Sequence, residues 1–162
     1  MYRWLVLLHV LAAFAFGMTH GASANVAFHL PRETSHERLA VLLDLSTAYL
    51  GATYAALLVL LLSGLALGFL GAWWGRGWIW LALGLLMAEF GAMGVMATRP
   101  FSQLRQALGL PYFDGRKRQP AGPPASAEEV TRCVAAIKPL PLALVGYGGL
   151  AVIIWLMLFK PF

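Results

Sequence analysis

Three ionisable side chains, His9, His20 and Glu89, lie within long apolar stretches of the chain. A charged group at the centre of a membrane helix costs about 2.5–3.5 kcal/mol, so such residues contact other polar groups or have a function. Glu89 suits a proton relay, a substrate site or the support of a histidine that ligates a cofactor. The structural alternative for Glu89 is a protonated carboxyl that hydrogen-bonds a neighbouring helix.

The two histidines are eleven residues apart, which places them on one helix face about 16 Å from each other. Dihaem membrane cytochromes carry such pairs, but each haem there needs a second histidine, and the other apolar stretches contain none. One haem b with a different second ligand is compatible with the sequence. Helix depth pairs His20 with Met93, whereas Met157 lies nearer the level of His9. Copper bound by His and Met is one alternative, and a hydrogen-bonded structural histidine is the other.

Further polar residues fall at a depth similar to that of His20 and Glu89. They predict a buried polar cluster, or a water-lined pocket, in which the groups satisfy one another away from hydrocarbon. Asp44 follows just beyond them, either at the mouth of that pocket or as a surface charge. The members of the cluster are Thr19, Ser23, Asn25, Thr47, Thr53, Tyr54 and Tyr147.

The kind of secondary structure that positions these residues can be inferred from an unusually apolar composition. Of 162 residues, 60% are hydrophobic and 12% charged, with a mean hydropathy of +0.72, against about 45–50% and about 25% in soluble domains. This balance excludes a soluble globule, a disordered tail and a nucleic-acid-binding module. The single cysteine excludes a disulfide framework and a thiolate metal cluster.

Four stretches are long enough for the roughly 20 residues that cross a bilayer. We therefore predict an all-α fold, an integral membrane four-helix bundle with a short cytoplasmic loop helix, in one domain covering residues 1–162. A cleaved secretory signal at the start is not expected, because His9, Thr19 and His20 interrupt the apolar run. The predicted spans are residues 4–24, 48–73, 78–97 and 140–159, with a loop at 99–139.

The basic residues predict the orientation of the bundle. Only Arg3, Arg76 and Lys160, of twelve Lys and Arg residues, fall on the side that carries the termini. The positive-inside rule then places the first and third loops in the cytoplasm and both termini outside. The run at residues 116–118 is a topology determinant or a contact for anionic lipid.

Several connections have local signals of their own. Thr34 and Glu37 have capping-box spacing, as do Ser126 and Glu129, so each pair predicts a helix start. The turn at residues 75–77 makes the second and third spans an antiparallel hairpin.

The third loop is predicted to begin with an interfacial helix and to continue as a mobile Pro/Gly-rich segment at residues 115–124. The apolar residues at helical spacing in the interfacial segment are Phe101, Leu104 and Leu108. The helix that follows Ser126 has one apolar side, formed by Val130, Cys133, Val134 and Ile137.

Every span also carries closely spaced glycines, which allow membrane helices to approach one another. They predict packing within the bundle or, alternatively, a homo-oligomer or a larger membrane complex. These glycines are Gly17 and Gly21, then Gly64, Gly68 and Gly71, then Gly84, Gly91 and Gly94, and finally Gly146, Gly148 and Gly149.

Four sequence stretches resemble a bacterial membrane superfamily that includes the CopD-type copper-resistance domains and the HemJ-type protoporphyrinogen oxidases. Within it, the chain looks most like an uncharacterised four-helix family. The stretches are Leu-Leu-His-Val-Leu-Ala-Ala at residues 7–13, His-Gly-Ala-Ser at 20–23, Ala-Val-Leu-Leu-Asp-Leu-Ser at 40–46 and Trp-Trp-Gly-Arg-Gly-Trp-Ile-Trp at 73–80.

The resemblance implies a bacterial inner-membrane protein of redox or haem-related physiology, with His9 at the position that ligates haem b in the HemJ-type proteins. Those proteins also use an intramembrane lysine, which this chain lacks, so protoporphyrinogen oxidation is not expected. The CopD resemblance implies copper handling. An accessory subunit of a respiratory or photosynthetic complex and a small-solute or proton-handling protein are the other hypotheses.

Overall fold

A computed structural model describes residues 1–162 and confirms an all-α fold, 81% helical. Six α-helices are joined by 3₁₀ turns at Leu30–Arg32 and Trp73–Gly75 and by a π-helical segment at Gly94–Thr98. Strands β1 (Tyr112–Phe113) and β2 (Arg118–Gln119) form a small antiparallel hairpin. The helices are α1 (Tyr2–His29), α2 (His36–Leu70), α3 (Gly77–Met93), α4 (Arg99–Ala107), α5 (Ala127–Ala136) and α6 (Pro139–Phe159).

Four helical segments are long and apolar enough to cross a membrane, which confirms the predicted number of spans. Only 21 of the 162 residues are buried, and large apolar side chains such as Phe14, Leu58 and Leu158 lie exposed on the outside of the bundle. An outer surface of this kind is expected when lipid rather than water surrounds the helices. The chain is thus built as a multi-pass membrane protein.

The four long helices associate as two pairs. α1 packs along α2, α3 packs along α6, and α1 also touches α6, whereas α2 and α3 barely meet. The turn lies at residues 71–76, earlier than the predicted 75–77, because α2 ends at Leu70 and α3 already begins at Gly77. In it Trp74 packs against Gly68 of α2, and its ring lies 5.5 Å from that of Trp80 on α3. Beyond these indoles α2 and α3 make few contacts with each other, and a gap lies between them instead of a packed seam.

We call the end of the bundle that carries the termini and residues 71–76 the tryptophan end. Here the ammonium group of Lys160 lies 4.2 Å from the centre of the Trp73 ring, and the backbone N–H of Trp78 donates to the carbonyl of Phe162. The C-terminal residues therefore close this end of the bundle.

We call the opposite end, formed by residues 30–38 and 99–138, the loop end. Its core contains the fully buried side chains of Leu30, Leu39 and Leu104. The prediction that Leu104 faces a membrane surface is wrong, because α4 buries this side chain against α2 and α5. The prediction for α5 is confirmed, since Val130, Val134 and Ile137 join the same core.

The two predicted helix caps have different outcomes. The hydroxyl of Ser126 accepts the backbone N–H of Glu129, as predicted. At α2 the cap is Ser35, which accepts the N–H of Arg38, and not Thr34. The reason is that the Glu33 carboxylate accepts the N–H groups of Thr34 and Ser35, each at 2.9 Å, and so fixes the turn one residue later.

The third span runs past its predicted end at residue 97. The helix continues through the π-helical segment Gly94–Thr98 into α4, with Pro100 in the first turn of α4. A proline lacks an N–H and pushes away the carbonyl four residues earlier, and a widened π turn accommodates both effects.

Candidate functional site

The gap between α2 and α3 is a cavity of about 580 Å³ in the half of the bundle nearest the loop end. On α2 it extends from Leu43 to Leu57, a length of about 21 Å at helical rise. Its volume lies within the range of about 300–1,000 Å³ that is typical of small-molecule and cofactor sites. Pro111, Tyr112 and Arg118 line the mouth at the loop end.

The cavity brings together residues from three helices that the sequence singled out. His20 and Ser23 come from α1, Thr47, Thr53 and Tyr54 from α2, and Glu89 and Met93 from α3. Thr19, Asn25 and Tyr147 do not line it. The Thr19 hydroxyl donates to its own helix at Ala15, Asn25 is exposed, and Tyr147 contacts the outer edge of His20.

His20 and Glu89 both pack against glycines on one face of α6. A Cβ atom at Gly146 would lie 2.5 Å from the Nε2 atom of His20, and one at Gly149 would lie 2.6 Å from the carboxyl carbon of Glu89. Only glycine leaves room for these two polar side chains. Phe16 stacks on the His20 ring at 5.7 Å, and Tyr147 meets its edge at 5.6 Å.

Hydroxyl groups make the middle of the cavity polar without placing charge there. The Thr47 and Thr53 hydroxyls donate to the carbonyls of Leu43 and Tyr49 in their own helix, which leaves oxygen lone pairs free to accept. The hydroxyls of Ser23 and Ser46 lie 3.5 Å apart and join α1 to α2. Sequence reasoning missed Ser46, although it precedes Thr53 by seven residues and therefore shares its helix face.

Arg105 is the second residue that sequence reasoning missed, and it ties the loop to the mouth of the cavity. Its Nη1 atom lies 2.9 Å from the carboxylate of Asp44, its Nε–H donates to the carbonyl of Pro111 at 2.7 Å, and Nη1 also donates to Thr47 at 3.4 Å. Asp44 itself does not line the cavity, and its exposed side chain fits the interpretation as a surface charge, although it pairs with a residue of the lining. Nothing in the sequence around Arg105 indicates that it forms an ion pair with Asp44.

His9 occupies a separate site nearer the tryptophan end. Its Nδ1 atom lies 3.0 Å from the hydroxyl of Ser63, and its ring rests on Gly64. The Ser63 hydroxyl donates its own proton to the carbonyl of Val59 at 2.7 Å. The same hydroxyl lies 3.1 Å from the carbonyl of Leu60. When it donates to a carbonyl of its own helix, it accepts from His9 Nδ1, and in that tautomer Nε2 carries the lone pair.

The two histidines differ in how they suit a cofactor. The tautomer of His9 with its proton on Nδ1 would match ligating histidines, which donate one ring N–H to a neighbour and bind through the other nitrogen. In His20 the Nε2 atom rests against Gly146 and does not point into the large cavity, although His20 and Met93 line that cavity together. No three His, Cys, Asp or Glu side chains converge as a metal site.

The predicted glycine seams divide into two groups. Gly21, Gly64, Gly68, Gly146 and Gly149 meet side chains of neighbouring elements at close range. The others of the predicted set, apart from Gly71 beside Trp73, have open space around them: Gly17, Gly84, Gly91, Gly94 and Gly148.

Comparisons of the chain with protein-family models, with curated proteins and with solved structures give no match.

Proposed function

We propose that the protein binds an amphipathic small molecule within the membrane, in the cavity between α2 and α3, and so belongs to the small-solute-handling class. The observation that carries this proposal is the cavity itself, with polar groups from three helices around a gap in an otherwise apolar bundle. If a gap of this size were empty, the side chains that line it on both helices would lack packing partners. A resident ligand would supply that packing.

The shape and lining of the cavity favour an amphipathic ligand over a small polar solute. Phe16, Leu57 and Leu86 line its deep part, whereas Arg105 and Arg118 lie at its mouth. On the side, the rings of Tyr54 and Phe90 lie 6.2 Å apart and are both about half exposed. A ligand can therefore enter sideways from the lipid between α2 and α3.

Orientation and compartment are part of the same proposal. Nine of the twelve Lys and Arg residues lie at the loop end, so the positive-inside rule directs the mouth of the cavity to the cytoplasm. We propose a bacterial inner membrane as the location, on the sequence resemblance described above.

The test uses the full chain in lipid nanodiscs with a hexadecanol that carries a photoactivatable diazirine. In the wild-type chain we expect cross-links at Tyr54, Phe90 and Met93. Gly94→Phe should reduce them about tenfold, because Gly94 lines the cavity and has room for a side chain. Gly84→Phe is the matched control, since Gly84 also lies on the third span in open space but outside the cavity. Equal labelling of the two variants, or labelling spread evenly over lipid-facing residues, would overturn the proposal.

A second candidate function, haem b binding through His9, is favoured by the hydrogen bond between His9 and Ser63. That bond supports a free lone pair on Nε2, and the sequence resemblance implies the same residue. The test is titration of the purified chain with haem and an absorption spectrum. We expect a Soret band that is lost in His9→Ala and kept in His20→Ala. A chain that gives no band, or an equal band in His9→Ala, contradicts this candidate.

A further inference from the structure

Two positively charged guanidinium groups lie at the mouth of the cavity. Arg105 is largely buried, with only 13% of its side chain exposed, and Arg118 lines the mouth from the β-hairpin. A guanidinium offers a planar fork of donors that matches carboxylate and phosphate groups. The mouth is therefore suited to an anionic headgroup.

The acidic groups nearby leave this site incompletely neutralised. Asp44 forms an ion pair with Arg105, but its side chain is 67% exposed and lies on the solvent side of the pair. Arg118 has no ion-pair partner in the structure, where the three ion pairs involve Arg38, Arg105 and Arg132. One guanidinium is therefore available, and the second can share its donors between Asp44 and a ligand.

Asp114 shapes the hairpin that carries Arg118. Its carboxylate accepts the backbone N–H groups of Lys117 and Arg116, each at 2.8 Å, and its second oxygen accepts from the Gln119 side chain. The bonds from Lys117 and Arg116, with that from Gln119, hold the pKa of Asp114 below its usual range. The carboxylate is thus occupied within the turn, and Arg118 is kept at the mouth.

The interior of the cavity, unlike its mouth, does not suit an anionic group. It contains no Lys or Arg, and its one carboxyl, Glu89, lies deep between α3 and α6. A second anion placed there would be repelled by any charge on Glu89 and would gain no cation. The headgroup of an anionic ligand therefore belongs at the mouth, with an apolar chain directed inward.

The length of the cavity fits one acyl chain. About 21 Å along α2 exceeds the depth of one leaflet, which is about 15 Å, half of the bilayer hydrocarbon core. The hydroxyls of Ser46, Thr47 and Thr53 face the part of the ligand nearest its headgroup, and Leu57 and Leu86 face its end.

We propose that the ligand is a single-chain anionic amphiphile, with its headgroup between Arg105 and Arg118 and its acyl chain between α2 and α3. This inference rests on the proposed function and specifies the chemical class of the ligand. The shared chemistry is an anionic oxygen group on one alkyl chain, found both in fatty-acid carboxylates and in monoalkyl phosphates.

The test compares two photoactivatable probes of equal chain length, hexadecanoic acid and hexadecanol, on the full chain in nanodiscs. We expect the acid to label the cavity about tenfold more than the alcohol at equal concentration. Arg118→Gln should weaken this preference markedly, because only Arg105, which is shared with Asp44, remains at the mouth. Arg116→Gln is the matched control, because Arg116 is a neighbouring exposed arginine that does not line the cavity.

Competition with unlabelled hexadecanoate, hexadecyl phosphate and inorganic phosphate identifies the headgroup. Stronger competition by hexadecanoate supports a carboxylate ligand, and stronger competition by hexadecyl phosphate supports a phosphate ligand. Equal competition by inorganic phosphate would overturn the requirement for an acyl chain.

Failure of this inference is distinguishable from failure of the proposed function. If alcohol and acid label the cavity equally, or if Arg118→Gln and Arg116→Gln behave alike, the cavity remains a binding site but its ligand is not anionic. If neither probe labels the cavity, the proposed function fails and this inference fails with it.

Discussion

At the scale of single residues, the site depends on where glycine leaves space for a polar side chain. Helix depth and spacing were enough to predict that His20, Met93 and Glu89 share one region, because the rise of a helix is constant. The partners of these side chains on α6 were not predictable. Gly146, Gly148 and Gly149 look equivalent in the sequence, and only the rotation of α6 against α1 and α3 determines which of them meets His20 or Glu89.

The contact between Glu89 and Gly149 gives a prediction at this scale. Gly149→Ala should lower the free energy of unfolding by about 1–3 kcal/mol, as expected for overpacking, because the added methyl group would overlap the Glu89 carboxyl. Gly148→Ala is the matched control, since Gly148 has open space around it. Thermal unfolding in detergent measures both variants.

A double-mutant cycle separates this contact from other effects of the methyl group. In the background of Glu89→Ala, Gly149→Ala should cost no stability, because the clashing carboxyl is gone. An equal loss of stability in both backgrounds would mean that Glu89 does not occupy the place assigned to it.

At the scale of elements, the local signals at Ser126 and in α5 were reliable, whereas the cap of α2 and the contacts between elements were not. The cap at Ser126 and the apolar side of α5 followed from residues within a few turns of each other. The environment of Leu104 did not, because the same amphipathic pattern suits a membrane surface and a protein core, and the partner leucines on α2 lie some sixty residues earlier in the chain. The cap of α2 is Ser35 and not Thr34, because Glu33 accepts the N–H groups of Thr34 and Ser35, and the Thr34 N–H is the one that a capping box would give to the Glu37 side chain.

The gap between α2 and α3 also depends on how whole helices are arranged. A tight turn predicts that two helices are antiparallel, but it does not predict that they pack along their length. Trp74 separates them at the turn, and the π-helical segment Gly94–Thr98 shifts the course of the third span where it lines the cavity. Neither effect follows from hydropathy alone, which explains why the sequence predicted the four spans and part of the polar cluster but not the size of the cavity.

At the scale of the whole molecule, the protein is a pair of helix pairs with a polar-lined cleft on one side. Exposed apolar side chains are concentrated on the outside of the four long helices, and the loop end has a compact core of its own formed with the start of α2. The composition and the four apolar stretches predict the membrane class, because stretches of this length have few other stable arrangements. The pairing of the helices, and the cleft that results from it, do not follow from composition.

Cysteine labelling tests most directly whether the cleft between α2 and α3 is a binding site that opens at the loop end of a membrane-embedded bundle. In a Cys133→Ser background, Tyr54→Cys and Leu58→Cys are placed one turn apart on α2 at similar exposure, and only residue 54 lines the cavity. A charged, membrane-impermeant thiol reagent is applied to the loop end of the protein in sealed vesicles.

We predict that the thiol introduced by Tyr54→Cys reacts readily and that the thiol introduced by Leu58→Cys, surrounded by lipid, reacts at least about tenfold more slowly. Prior addition of hexadecanoate should protect position 54 alone. Equal reactivity at the two positions, or no reaction at either, would contradict the account.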